Sequence, residues 1–159
     1  MFNTHNLEIR LATLNDIEPL CQLYCEFFAY NAALQPMYYK AGIENGRYPA
    51  SVISSENADI ILAVEDKKVV GFIHIREAQT LPYDVLVPYK YAEVIDLMTT
   101  AAHRKEGIGS GLIDAAKQWA RTRHLDYIEL FVLCEAKNQL RFYANRDFAV
   151  VSHTMRCPL

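Results

Sequence analysis

The sequence predicts a mixed α/β domain, and three observations carry the prediction. Stretches that alternate apolar and polar residues, as half-buried strands do, are interleaved with stretches whose apolar residues recur at helical spacing. Their order is strand, helices, hairpin, strand, glycine loop, helix, strand, helix, strand. Gly107, Gly109 and Gly111 stand at every second position between the last strand-like stretch before them and a helix-like one. With 159 residues, 52% hydrophobic and 22% charged, the chain has room for a sizeable core, and 1–159 is expected to form a single domain.

Each element follows from local pattern. Leu7-Glu8-Ile9-Arg10-Leu11 alternates as a strand, and Thr13 to Asp16 then offers capping side chains before a helix. Ile17, Leu20, Cys21, Tyr24 and Phe28 form that helix's apolar face, with Pro19 close to its first turn. Tyr30 to Tyr48 holds Pro36, Gly42, Gly46 and several tyrosines, and reads as short helices broken by turns. Its tyrosines suit packing with hydroxyls at the rim, or the lining of a substrate cleft. A short helix is expected over Ala50 to Ser55. Ile60 to Val64 and Val69 to Ile75 are strands joined by the polar turn Glu65-Asp66-Lys67-Lys68. Gln79 to Tyr91, with Pro82 and Pro88, is a loop, and Ala92 to Thr99 a central strand. After the glycines, Leu112, Ile113, Ala116, Trp119 and Ala120 mark a helix ending near His124. Tyr127 to Leu133 is nearly continuous in apolar residues and reads as an interior strand. Leu140 to Asn145 is a short helix and Phe148 to Met155 a closing strand.

Composition narrows the function. A net charge of −3 gives no general attraction to nucleic acid or to an anionic membrane. The apolar runs are far shorter than a membrane span, and Met1 to Asn6 lacks the layout of a signal peptide. Cys21, Cys25, Cys134 and Cys157 have no metal-ligand spacing and read as thiols in a reducing cytoplasm; no metal site is expected. The glycine stretch points further. Glycines let backbone N–H groups turn toward a ligand, and a helix starting there adds free N–H groups and the positive end of its dipole. Such a site suits a phosphate or pyrophosphate.

Arg104-Lys105-Glu106-Gly107-Ile108-Gly109, then Ser110 and Leu112-Ile113, together with Phe142-Tyr143 and Phe148 downstream, resembles the acetyl-CoA signature and aromatic pair of the GNAT superfamily of N-acetyltransferases. The opening Ile9-Arg10 followed by Asp16 also suits that family, and the likeness covers essentially the whole chain. It implies a twisted, mixed but mostly antiparallel sheet of about six to seven strands flanked by helices and splayed between strands 4 and 5. It implies transfer of the acetyl group of acetyl-CoA directly to a primary amine of a small molecule or protein, through a ternary complex. Backbone amides of Lys105, Glu106, Gly107, Ile108, Gly109 and Ser110 would hold the pyrophosphate, with charge from Arg104 or Lys105. The pantetheine arm would run along Met98, Thr99 and Thr100. Where the family usually has an asparagine, seven residues before the tyrosine, this chain has Ala136; the nearest asparagine, Asn138, is out of register and is taken as the cofactor contact. Asp147 replaces the family's glycine before the phenylalanine.

The resemblance makes Tyr143 the general acid for the departing thiolate. Glu93, eleven residues before Arg104, falls at the base position of the histone-acetyltransferase branch. By strict alternation Asp96 points to the other face of the sheet from Glu93. His74 and His103 read as structural or exposed. The last strand is an available edge, through which such folds form homodimers. Two other readings fit parts of the pattern: a nucleotide or S-adenosylmethionine binder, and a catalytically silent acyl-CoA-binding module acting as a sensor.

Overall fold

The computed structural model describes residues 6–159, so the reading of the extreme N-terminus lies outside the described residues, apart from Asn6. Strands β1 (Leu7–Leu11), β2 (Ala58–Glu65), β3 (Lys68–Gln79), β4 (Lys90–Thr99) and β5 (Tyr127–Leu130) form one sheet in that order. The first four pair antiparallel, and β5 lies parallel to β4. Helices α1 (Ile17–Leu34) and α2 (Arg47–Ile53) cover one face. Helix α3 (Ile108–Thr122) covers the other, and α4 (Lys137–Ala144) lies beside it.

Alternation in the strands feeds both layers. Ile60, Leu62, Phe72 and Met98 pack with Leu20, Leu23 and Tyr24 under α1. Ile61, Ile73, Ile75, Ala92 and Val94 pack with Leu112, Ile113, Ala116 and Trp119 of α3. The chain enters α1 through a tied corner. Arg10 donates to both oxygens of Asp16 at 2.9 and 2.8 Å, and the Thr13 N–H and hydroxyl also donate to Asp16. The β2–β3 hairpin turns on Asp66 and Lys67, both left-handed (φ 47° and 68°), as a two-residue turn matched to strand twist requires.

Several expectations change. Helix α1 runs six residues beyond Phe28, to Leu34, absorbing the start of the tyrosine-rich stretch. The strand expected from Tyr127 to Leu133 ladders only to Leu130, and it is the sheet's edge rather than its interior. Its apolar side chains instead line a cavity of about 1300 Å³ shared with α4 and residues 147–156. Phe148 to Met155 forms no strand. Local β-propensity does not suffice without a partner ladder, and Asp147 (φ 67°) turns the chain while Phe148 N–H donates to the Tyr143 carbonyl at 3.2 Å. Val150, Val151 and Met155 beyond it are exposed. The sheet therefore has five strands rather than six or seven.

Two irregularities position the site. The β4–β5 ladder stops at the pair Val94–Leu130, while β4 continues to Thr99 with its outer edge unpaired. Opposite β3, His74 pairs with Asp96 but Ile75 pairs with Val94, so Ile95 is an extra residue, a β-bulge.

Candidate active site

At the end of β4, Thr100 N–H donates to the Val70 carbonyl at 2.9 Å. His103 holds the turn that follows: its Nδ1 lies 2.8 Å from Thr100 Oγ1 and its Nε2 3.3 Å from a Glu65 carboxylate oxygen. Lys105 and Gly107 both have left-handed backbone (φ 68° and 86°), and α3 begins at Ile108. The N–H groups of Ile108, Gly109 and Ser110 consequently have no acceptor inside the helix. A side chain added at Gly107 would meet nothing within 4 Å, so that position is open, and its glycine answers to backbone conformation.

The three glycines serve different ends. Gly109 lies against the Phe142 ring, which a Cβ would meet at 3.3 Å; Gly111 packs against Ile9, where a Cβ would come within 2.8 Å of Cδ1. Gly111 thus seats α3 on β1. Helix α4 is fastened to this corner by Arg146, whose guanidinium stacks over Phe142 at 3.8 Å, donates to its carbonyl at 2.9 Å, and bonds Ser110 Oγ. Sequence reasoning passed over Arg146, since nothing in its spacing marks it.

Tyr143, on α4, packs edge-on between Phe142 and Phe148, at ring distances of 5.1 and 5.6 Å. Burial pushes its phenol up to about 12. Asn138 stands exposed in the first turn of α4. Ala136, which occupies the N-cap, is buried and supplies no capping side chain. The Arg104 guanidinium lies 5.3 Å over the Tyr30 ring.

Glu93 and Arg76 face each other across β4 and β3, with Arg76 Nε and Nη2 at 2.8 and 2.6 Å from the same oxygen, Oε2. The bulge at Ile95 then shifts the alternation. Val94 and Leu97 both turn toward α3, whereas Glu93, Asp96 and Met98 all turn toward α1 and α2. Asp96 therefore shares a face with Glu93, contrary to expectation. Nothing in the sequence marks the bulge, because Tyr91-Ala92 and Leu97-Met98 are apolar pairs just as Val94-Ile95 is. Beside Asp96 lie His74, only 4% exposed, and Tyr48, whose hydroxyl is 3.0 Å from His74 Nδ1. Burial first, and then the Asp96 charge, push the Tyr48 phenol up to about 12.

No helix among the described residues is long and apolar enough to cross a membrane. Glu65, His103 and Glu106 bring carboxylate and imidazole atoms within 4.8 Å of one another, but His103 is engaged in holding the turn.

A family profile described as the Acetyltransferase (GNAT) family matches residues 17–148. Over 141 residues the chain is 26% identical to an uncharacterized N-acetyltransferase of Archaeoglobus fulgidus, covering 89% of this chain and 92% of that one. It is also 26% identical over 145 residues to N-alpha-acetyltransferase 60 of Danio rerio, covering 89% of this chain and 59% of that one. Among solved structures, a tetramutant of the BH1408 protein of Bacillus halodurans shares the fold with a TM-score of 0.90 at 21% identity, over 96% of this chain and 99% of that one. The profile spans most of the described residues, including the α3 loop and Tyr143, and on that ground the chain belongs to the GNAT family of acetyltransferases and is an acyltransferase enzyme.

Proposed function

We propose that the protein transfers the acetyl group of acetyl-CoA directly to a primary amine while both substrates are bound. The observation that carries this reading is the unpaired outer edge of β4 beyond Val94, running into a loop with two left-handed residues and the first-turn amides of α3, which have no acceptor inside the helix. A free strand edge offers N–H and C=O groups to an extended amide-bearing chain such as pantetheine, here along Met98, Thr99 and Thr100. The amides of Lys105 to Ser110 suit a pyrophosphate, with Arg104 and Lys105 adding charge and Asn138 a polar contact from α4. The whole of 1–159 acts in this reading as one acetyltransferase domain.

The chemistry needs the amine neutral, although an alkylammonium has a pKa near ~10.4 in water. Glu93 takes that proton. Both of its contacts with Arg76 fall on Oε2, which leaves Oε1 to receive a proton directly or through a water. The nitrogen lone pair attacks the thioester carbonyl, the C–S bond breaks, and Tyr143 gives its phenolic proton to the departing thiolate. The second proton of the nitrogen leaves as the amide forms and restores Tyr143, so one proton in all is released to solvent.

Free CoA release measured with a panel of amines tests the reading. Turnover that depends on both substrates is expected. Tight acetyl-CoA binding without turnover of any amine would favour a silent acyl-CoA-binding sensor instead, a reading consistent with the apolar Ala136 at the start of α4.

A further inference from the structure

One group of buried polar side chains is left over from the proposed chemistry. Tyr24, on α1, is 0% exposed, and its hydroxyl has no hydrogen-bond partner. It lies close enough to Asp96 for the carboxylate to act on it both as a charge and as a nearby acceptor, although no well-formed hydrogen bond joins them. Asp96 is itself largely covered, with a side chain 15% exposed, and His74 Nδ1 at 3.7 Å is too far to donate to it. An unpaired hydroxyl in this position is destabilising, and a covered carboxylate short of donors more so. Both lie on the α1 and α2 face of the sheet. Asp96 sits just past the point where β5 parts from β4.

The surroundings define what the two groups lack. Aromatic rings wall the spot: Tyr24 stands 5.8 Å from Tyr48, 5.8 Å from Phe28 and 4.5 Å from Phe72. The charged and titratable groups facing it are Tyr24 from α1, Glu44 and Tyr48 from α2 and the turn before it, His74 and Arg76 from β3, and Glu93 and Asp96 from β4. Arg76 balances Glu93, and Glu44 accepts the Gly46 N–H at 2.9 Å. Asp96 is left with the His74 imidazole at 3.7 Å and no hydrogen-bonded lysine or arginine among the described residues, close to the ring cluster around Tyr24. We propose that Asp96 and Tyr24 form the acceptor subsite, and that it takes a single primary ammonium on an apolar stem, an alkylamine or arylalkylamine. The ammonium supplies donors to the Asp96 carboxylate and to Tyr24 Oη, and the rings contact both the stem and the charge. Tyr48 and His74 are bonded to each other beside Asp96. A polycation would find one carboxylate where it needs several, and a polyhydroxylated amine would leave hydroxyls unpaired against the rings.

This inference rests on the acetyltransferase reading, and the experiment separates the two. Steady-state kinetics would be measured for wild type, Asp96→Asn and Tyr24→Phe with a phenylalkylamine, a linear polyamine, an aminoglycoside and a peptide bearing a free N-terminus. The wild type should prefer the phenylalkylamine. Asp96→Asn should raise KM for the amine about 30-fold or more, with KM for acetyl-CoA unchanged. Tyr24→Phe should raise the amine KM about 5-fold or more while the thermal midpoint of the free protein stays level or rises, because an unpaired hydroxyl is removed. A structural role for that hydroxyl would lower the midpoint. Wild-type turnover with amine KM unchanged in both variants overturns the subsite alone, and preference for the polyamine, the aminoglycoside or the peptide overturns the acceptor class. Absence of turnover with any amine removes the acetyltransferase reading, and the subsite with it.

Discussion

Burial that pushes the Tyr143 phenol up to about 12 keeps its proton in place throughout the neutral range, which suits a donor to a thiolate. Tyr143→Phe should therefore lower kcat by about 100-fold and leave the acetyl-CoA Kd within about twofold, the loss lying in proton transfer and not in binding; stopped assays paired with calorimetry would show the split. Asp16 has the opposite kind of environment. The Arg10 guanidinium, followed by the Thr13 N–H and hydroxyl, holds its carboxyl down at about 2 against the cost of burial. A carboxyl lowered in the folded state stabilises the fold above its unfolded value of ~3.9, and that contribution is lost as pH falls toward 2. Asp16→Asn should cost ~2 kcal/mol at neutral pH, and denaturant titrations from pH 7 down to pH 2 should show a shallower acid limb than in wild type.

At the scale of elements, the β2–β3 hairpin places Lys67 in left-handed backbone without glycine's tolerance for it. Lys67→Gly relieves a strain of about 1 kcal/mol, offset in part by the entropy a glycine loses on folding. A net gain of roughly 0.5 kcal/mol in chemical denaturation is expected. Gly71, on β3, allows no such freedom. A Cβ there would come within 2.8 Å of the Met98 carbonyl, a backbone atom that cannot swing aside, and within 3.3 Å of Ile108. Gly71→Ala should cost about 1–3 kcal/mol. Because the displaced strand is the one carrying Met98 to Thr99, it should also weaken acetyl-CoA binding, which calorimetry on the folded variant would register.

Across the whole molecule, the reading of β4 as an open edge makes a prediction about linkage. Acetyl-CoA at about 100 times its Kd should add ~2.7 kcal/mol of stability. Amide exchange should slow selectively in the second half of β4 and in residues 104–110, and hardly at all in β1. Much of this architecture was legible in the sequence because it rests on local pattern. Alternation marked β1, short apolar runs marked β2 to β4, helical spacing marked α1 and α3, and the polar turn at Asp66-Lys67 lies where the pattern put it. What escaped depends on partners distant in the chain. The apolar run after Tyr127 could not disclose that it meets a cavity instead of a second sheet neighbour. The stretch after Phe148 has strand propensity but finds no ladder. In the site, the left-handed turn before α3 could be anticipated from Gly107. The company of Tyr24, Tyr48, His74 and Asp96 could not, because it joins four elements and depends on one extra residue in β4.

That extra residue, Ile95, works like a frameshift written in space. Everything on β4 after it is read in one phase and everything before it in the other. Deleting Ile95 alone would make Val94 and Asp96 neighbours in one regular ladder with β3, and every other side chain would keep the face it has now. What such a deletion would take away is the local bend and added twist that a bulge gives the strand, just where β5 parts from it.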